Sequence, residues 1–128
     1  MTKEIIHSEQ APAAVGPYSQ AVKVGNLLFT AGQIPLDPAT GKLVKGDITA
    51  QTERVMQNLQ AVLTAAGTNF ANVVKATVFL ADIGDFGAMN GVYGRYLQDN
   101  PPARSAFQVG ALPLGALVEI EMIVLVGD

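Results

Sequence analysis

One arginine stands where the chain could hold a carboxylate. Arg104 follows the pair Pro101-Pro102, which cannot continue a helix and keeps its neighbours extended, and it begins a strand-like run. Its planar guanidinium can bind a carboxylate through two parallel hydrogen bonds. Arg104 is therefore a candidate anion clamp, and the alternative is a structural ion pair with Glu119 or Glu121.

Two glutamates alternate within the last apolar run of the chain. Period-two spacing puts Glu119 and Glu121 on one side of a predicted strand. A partly desolvated carboxylate has a raised pKa and can act as a general acid or base. We expect the strand of Arg104 to pair with this one through the loop 110–115, so that arginine and glutamate share a pocket. A structural ion bridge at an interface is the alternative.

Three further positions are weaker candidates. Tyr18 follows Gly16-Pro17, a turn that would fix its ring, although tyrosines at such places more often serve packing. Asn90 falls in a predicted helix, off its apolar stripe, where a solvated surface residue is the alternative. Gly32 could let backbone amides approach a ligand, although a glycine commonly just ends a strand.

Composition excludes several classes of function. The chain has 128 residues, no cysteine, the single histidine His7 and a net charge of -3. Disulfides and thiolate chemistry are excluded, and we expect no metal site. Without a basic cluster, an apolar run of roughly 18 residues or a signal-peptide pattern, we expect no nucleic-acid or membrane partner and a cytoplasmic protein. The length predicts one domain, residues 1–128.

The spacing of apolar residues predicts two helices and five or so strands. An amphipathic helix over 48–66 has Asp47 as its N-cap and Gly67 as its stop. A second helix over 86–97 has Asp85 as its cap, and we attribute its glycines 87, 91 and 94 to helix packing. The predicted strands are 19–24, 27–31, 73–80, 104–109 and 116–126.

Counting layers predicts one sheet with both helices on one face and another copy of the chain on the other face. Two helices can cover one face of a single mixed sheet but not both. In the run 118–126, the even-numbered residues form one apolar side, while Glu119, Glu121, Ile123 and Leu125 form the other. Since an apolar second side is unusual for a solvent face, we expect it to be buried in a homo-oligomer.

Four short motifs in order make the chain resemble the RidA/YjgF family along essentially its whole length. They are Gly16-Pro17-Tyr18-Ser19-Gln20-Ala21, Thr30-Ala31-Gly32-Gln33-Ile34-Pro35, Pro102-Ala103-Arg104-Ser105 and Glu119-Ile120-Glu121. The resemblance implies a chorismate-mutase-like α+β fold and a homotrimer whose inward sheet faces form a barrel. It also implies active sites between adjacent subunits.

The resemblance also implies an activity. Members of this branch hydrolyse reactive 2-imino acids, such as 2-iminobutanoate and 2-iminopropanoate, to 2-oxo acids and ammonia without a cofactor. By motif, Arg104 would bind the substrate carboxylate, Glu119 would activate water and help ammonia to leave, and Tyr18 would lie against the substrate. An imine carbon is already electrophilic, so orientation, one placed water and one carboxylate are sufficient.

The rest of the implied pocket includes two departures from the family pattern. Asn90 and the backbone around Gly32 and Ala106 would complete it. Ala106 stands where many members have cysteine, and Ala31 stands where serine is frequent. Backbone contacts at both positions could survive these changes, but the substrate range would depend on them.

Other functions remain open from the sequence. A trimer could bind small carboxylates such as 2-oxobutanoate without turnover, using Arg104 but not Glu119. Some relatives are credited with a translation-inhibiting ribonuclease activity, against which the missing basic patch and histidine pair argue. A chaperone-like role would require an exposed apolar surface after assembly. The sequence also leaves open whether Glu119 or Glu121 transfers protons.

Overall fold

A single six-stranded mixed sheet and two helices make up the fold in the computed structural model, which describes residues 2–127. The helices are α1 (Ile48–Ala65) and α2 (Phe86–Tyr96). The strands are β1 (Glu4–Ile6), β2 (Ala21–Val24), β3 (Leu27–Thr30), β4 (Val73–Leu80), β5 (Ala103–Gln108) and β6 (Val118–Leu125). The predicted α+β class is confirmed.

The ends of both helices follow from local side chains. Asp47 caps α1 by accepting a hydrogen bond from the Ala50 backbone N–H at 3.0 Å, and Gly67 follows the helix with φ of 78°. The predicted cap Asp85 makes no such bond to α2. Asp82 instead accepts from the Gly84 N–H at 2.8 Å and starts a short 3₁₀ turn that leads directly into α2.

Strand β6 alternates between two environments, as its spacing predicts. Val118, Ile120, Met122 and Val124 are buried in the core that includes the apolar stripes of α1 and α2. Glu119 and Glu121 lie on the other side of the sheet, with Ile123 and Leu125. Both helices therefore cover the same face of the sheet, which we call the helix face; the opposite one is the open face.

The predicted pairing of the Arg104 strand with the glutamate strand is wrong. The strand order is β1-β2-β3-β6-β4-β5, so β4 lies between β5 and β6. Strand β5 pairs in parallel with β4 because α2 forms the crossover between them. The connection from β5 to β6 then passes over the end of β4. There the Val109 N–H donates to the Leu80 carbonyl and the Ala81 N–H donates to the Leu117 carbonyl.

The first strand is one that the sequence did not reveal. Residues 4–6 look like a polar terminal segment with one apolar pair, yet they form β1 and pair antiparallel with β2. Only Ile6 of this strand is buried. A three-residue strand contains too few alternations to be recognised by period, and its position is decided by the neighbouring strand.

The open face has no covering layer within residues 2–127. It carries the rings of Phe79 and Phe107, which meet edge to face at 5.3 Å, and Phe29, whose exposed fraction is 42%. Burial of this face against other copies stays a prediction. Neither helix in this part of the chain is long and apolar enough to cross a membrane.

Candidate functional site

A groove of about 560 Å³ opens beside the start of β6. It brings together four of the residues that the sequence singled out: Tyr18, Ala31, Gly32 and Glu119. Most of the remaining lining is apolar and comes from the N-terminal segment, the chain after β3 and the loop before β6: Pro12, Ala13, Val15, Ile34, Leu36, Pro113 and Leu114. The groove therefore surrounds one carboxylate with mainly apolar walls.

A bulge in the sheet shapes the floor of this groove. The β3–β6 ladder includes the pair Phe29–Ile123 and is rejoined at the bridge Gln33–Ile120. Gln33 lies four residues after Phe29, whereas Ile120 lies only three residues before Ile123, so the first segment contains one extra residue. The Thr30 hydroxyl accepts a hydrogen bond from the Met122 N–H at 2.9 Å within this interval. The bulge displaces Ala31 and Gly32 from regular pairing with β6 and places Gly32 against Glu119.

Gly32 and Glu119 fit together only because Gly32 has no side chain. A Cβ built on Gly32 would overlap the Glu119 carboxylate, with Cδ at 2.8 Å and Cγ at 3.0 Å. A contact this close requires the glutamate to move. The φ of Gly32 lies outside the left-handed region, so other residues could adopt this backbone conformation. A glycine is needed here because a side chain would have no room beside Glu119.

The two glutamates of β6 have different surroundings. Glu119 is half-buried in the groove, and burial raises the pKa of its carboxyl above the ordinary value of 4.5, with a smaller contribution from the charge of Glu121. Glu121 is exposed and lines a separate small hollow on the open face with Lys75 and Thr77. Of the two carboxylates, only Glu119 lies in the groove.

Tyr18 stands at the mouth of the groove on a tight turn. Its backbone N–H donates to the Gly16 carbonyl at 2.9 Å, and Gly16 has a φ of 133° that favours glycine. The phenol oxygen accepts a long hydrogen bond of 3.4 Å from the Val15 N–H. With 51% of its surface exposed, the ring is available to a ligand or to another copy of the chain.

Gln20 holds the wall of the groove in place, a role that sequence reasoning missed. This side chain is 3% exposed, accepts a hydrogen bond from the Ser8 N–H at 2.6 Å and donates to the Pro12 carbonyl at 2.8 Å. A buried amide that is fully bonded fixes the backbone around it. Its signal in the sequence was its place inside the first motif, next to the start of β2.

Arg104 lies outside the groove, against α2. Its Nη1 donates to Asn90 Oδ1 at 2.6 Å, and its guanidinium carbon lies 5.3 Å from the Phe86 ring centre and 4.9 Å from the Tyr93 ring centre. No carboxylate oxygen of residues 2–127 forms an ion pair with it. The predicted alternative of an ion pair with Glu119 or Glu121 is therefore wrong within one chain.

The placement of Asn90 also differs from prediction. At 100° per residue, position 90 lies only about 40° from position 86 and on the same side as position 93. Asn90 thus shares the face of Phe86 and Tyr93 and contacts Arg104 through it. The spacing of four and three residues was the signal in the sequence.

Arg104 and Glu119 lie on opposite faces of the sheet. Directly paired residues share a face, and the pairs Arg104–Ala76 and Ala76–Met122 place the arginine on the helix face. The pair Glu119–Phe79 belongs to the open face. Ala106 follows Arg104 by two residues and packs on the core from the helix face. One copy of the chain therefore does not bring the arginine and the glutamate together.

Residues that could bind a metal are not clustered in the described part of the chain: no group of three or more histidine, cysteine, aspartate or glutamate side chains has suitable geometry there. What the site offers is a half-buried carboxylate in an apolar groove and, separately, an arginine without an acidic partner. Such groups suit acid–base chemistry on a small anion.

Comparisons with known proteins identify the relatives of this chain. The model of the family described as Endoribonuclease L-PSP matches residues 8–126. The chain is 58% identical over 125 residues to Protein DfrA of Myxococcus xanthus, covering 96% of this chain and 95% of the relative. It is 50% identical over 127 residues to the 2-iminobutanoate/2-iminopropanoate deaminase of Capra hircus, covering 99% and 93%.

A solved structure extends this similarity to three dimensions. YyfA of Yersinia pestis, described as a protein of unknown function of the conserved Rid protein family, superposes with a TM-score of 0.94 at 46% identity. The match covers 98% of this chain and 100% of that one. The fold and the order of its elements are thus those of this group of proteins.

Proposed function

Since the chain belongs to the Rid family (RidA/YjgF, endoribonuclease L-PSP), we propose that it hydrolyses reactive 2-imino acids to 2-oxo acids and ammonia. The substrates that we propose are 2-iminobutanoate and 2-iminopropanoate, which the deaminase relatives are named for. No cofactor takes part in the proposed reaction.

The proposal depends most on the Glu119 carboxylate, which is half-buried in the groove and packed against Gly32. Burial raises the pKa of this carboxyl, which brings the pKa closer to neutral pH and makes the group a better partner for proton transfer. A general base of this kind needs no metal when the carbon under attack is already electrophilic.

In the proposed mechanism, Arg104 binds the substrate carboxylate and Glu119 handles the protons. The imine nitrogen first takes a proton from solvent, and Glu119 then takes a proton from a water molecule whose oxygen forms a bond to the imine carbon. The protonated Glu119 gives this proton to the amine nitrogen of the resulting carbinolamine, whose C–N bond breaks as ammonia leaves. The hydroxyl proton returns to solvent as the C=O bond of the 2-oxo acid forms. Overall, one imine and one water give one 2-oxo acid and one ammonia.

We propose that two copies of the chain form each site within a homotrimer. Because Arg104 and Glu119 lie on opposite faces of one sheet, the groove of one copy would receive the β5 edge of its neighbour. The apolar open face, with Phe29 and Leu125 each more than 40% exposed, supports burial against other copies.

The other residues of the proposed pocket would contact the substrate or position Arg104. Tyr18 would lie against the substrate, and Asn90 would hold Arg104 in place through its hydrogen bond. Ala31 and Ala106 have neither a hydroxyl nor a thiol, so the backbone at these two positions would provide any polar contact. The backbone around Gly32 would border the reacting carbon.

The activity can be tested with imines generated in situ by an amino-acid oxidase. We expect the purified protein to accelerate ammonia release above the uncatalysed rate, and Arg104→Ala to lower this acceleration at least about 100-fold. The matched control is Arg95→Ala, because Arg95 pairs with Glu53 on the helix surface and neither residue lines the groove. No acceleration by the wild-type protein would contradict the proposal.

Glu119→Gln separates catalysis from binding. The amide keeps the shape of the side chain but cannot accept the proton, so we expect turnover to be lost while calorimetric affinity for 2-oxobutanoate is kept. In the wild type, activity should fall as pH decreases through a value above 4.5, because protonation removes the base and its pKa is raised. Binding of 2-oxobutanoate without any turnover by the wild type would favour a non-catalytic carboxylate-binding trimer.

A further inference from the structure

Arg104 has an unusual set of neighbours. The ring centres of Phe86 and Tyr93 on α2 lie 5.3 Å and 4.9 Å from its guanidinium carbon. Asn90, between them on the helix, accepts a hydrogen bond from Nη1 at 2.6 Å. Positions 86, 90 and 93 are spaced by four and three residues, so one face of the helix carries all three groups. The arginine is thus held by neutral groups.

Arg95, which lies on α2, has a charged partner, unlike Arg104. Its Nη2 lies 2.7 Å from Glu53 Oε2, which neutralises its charge in an ion pair on the helix surface. An arginine paired with a carboxylate already has the ligand that it prefers, and a substrate carboxylate would have to displace it. Arg104 has no such competitor among the described residues.

Aromatic faces attract a guanidinium without neutralising it. The ring quadrupole attracts a cation, more strongly when water is excluded, and packing between two rings limits the rotamers of the long side chain. Tyr93 is 6% exposed, so its ring is fixed by the core. Holding the arginine in advance lowers the entropy lost when a ligand binds.

The hydroxyl of Tyr93 does not explain why a tyrosine stands there. Its Oη is buried and has no hydrogen-bond partner among the described residues. An unpaired buried hydroxyl is a cost to the folded state. The part of Tyr93 that meets Arg104 is the ring.

We propose that Phe86 and Tyr93 are positioning residues that orient Arg104 for a substrate carboxylate while leaving its positive charge unneutralised. The proposal deepens the proposed function and rests on it for the identity of the ligand. Neither aromatic residue touches the substrate in this role; both act through the arginine.

Paired variants of Tyr93 separate the ring from the hydroxyl. Tyr93→Phe keeps the ring, so we expect wild-type affinity for 2-oxobutanoate, whereas Tyr93→Leu should weaken that affinity about 3- to 30-fold. In the imine assay, Tyr93→Leu should raise KM by the same factor and change kcat less than about twofold, because carboxylate binding is equal in the ground and transition states. Phe86→Leu should act in the same direction.

A second measurement does not depend on any ligand. Side-chain ¹⁵N relaxation of the arginine Nε–H groups should give Arg104 an order parameter above roughly 0.8 in the wild type and in Tyr93→Phe, and below roughly 0.6 in Tyr93→Leu. Arg54 and Arg95 provide internal controls in the same spectra. Thermal melting and far-UV circular dichroism confirm that each variant is folded; if Tyr93→Leu fails to fold, Phe86→Leu carries the test.

The outcomes are distinguishable from those of the proposed function. Unchanged Arg104 mobility in folded Tyr93→Leu and Phe86→Leu would overturn the positioning role, whatever the activity. Equal loss of affinity in Tyr93→Phe and Tyr93→Leu would overturn it too, because the hydroxyl would then be the group that matters. A wild type without turnover, combined with a mobile Arg104 in Tyr93→Leu, would overturn the deaminase proposal and support the aromatic one.

Discussion

At the scale of single residues, Gly32 and Glu119 depend on each other. The groove carboxylate occupies the space that any larger residue at position 32 would fill. In the sequence, Gly32 was a weak candidate, because a glycine at the end of a strand has several ordinary explanations. The structure adds the specific one, which is room for a half-buried carboxylate.

Gly32→Ala tests this dependence. Its Cβ should push the Glu119 carboxylate away from its present position, and a displacement of about 1 Å lowers catalysis about 100-fold in well-oriented sites. We expect kcat in the imine assay to fall by about this factor. The control is Gly94→Ala, because a Cβ at Gly94 on α2 would meet nothing within 4 Å. A Gly32→Ala protein with wild-type kcat would show that Glu119 does not need its present position.

At the scale of elements, the helices show which glycines are required. The sequence attributed glycines 87, 91 and 94 of α2 to packing, but a Cβ at each of them would meet nothing within 4 Å in the described chain. That explanation is wrong within one copy of the chain. Gly67 is different, because it ends α1 in the left-handed region at φ of 78°.

A pair of substitutions follows from this difference. Gly91→Ala should increase the free energy of unfolding by about 1 kcal/mol, since alanine favours the helix interior, and Gly67→Ala should decrease it by about 1 kcal/mol, since alanine is strained at positive φ. Urea unfolding monitored by circular dichroism measures both. If Gly91→Ala instead destabilises the protein or changes its oligomeric state, another copy must pack on that face of α2.

At the scale of the whole molecule, the sheet separates the two charged groups. Arg104 lies on its helix face at the edge strand β5, while Glu119 lies on its open face in the groove. A site that uses both groups therefore needs two copies, and mixing two inactive variants can reveal this.

We expect Arg104→Ala and Glu119→Gln to complement each other. In the proposed trimer, with each site shared by two neighbours, a random equal mixture should restore about a quarter of wild-type activity, because one pairing in four has both intact groups. The two variants are refolded together from denaturant and assayed for ammonia release, and each variant refolded alone is the control. A mixture as inactive as its components would mean that both groups act from the same copy.

The sequence by itself determined both helices, five of the six strands that residues 2–127 form, and the side of β6 on which Glu119 lies. Asp47 and Gly67 mark α1, and the alternation in 118–125 assigns Glu119, Glu121, Ile123 and Leu125 to the open face. These features are local, since capping and period-two spacing act between residues that are close along the chain. The motifs containing Tyr18, Gly32 and Arg104 carried the family resemblance.

Only the tertiary structure decided which of these residues meet. It inserted β4 between β5 and β6, separated Arg104 from Glu119, and packed Arg104 on Phe86 and Tyr93. It also produced the bulge that fits Gly32 over Glu119. Strand order and bulges depend on contacts between distant segments, which the local pattern of apolar and polar residues does not encode.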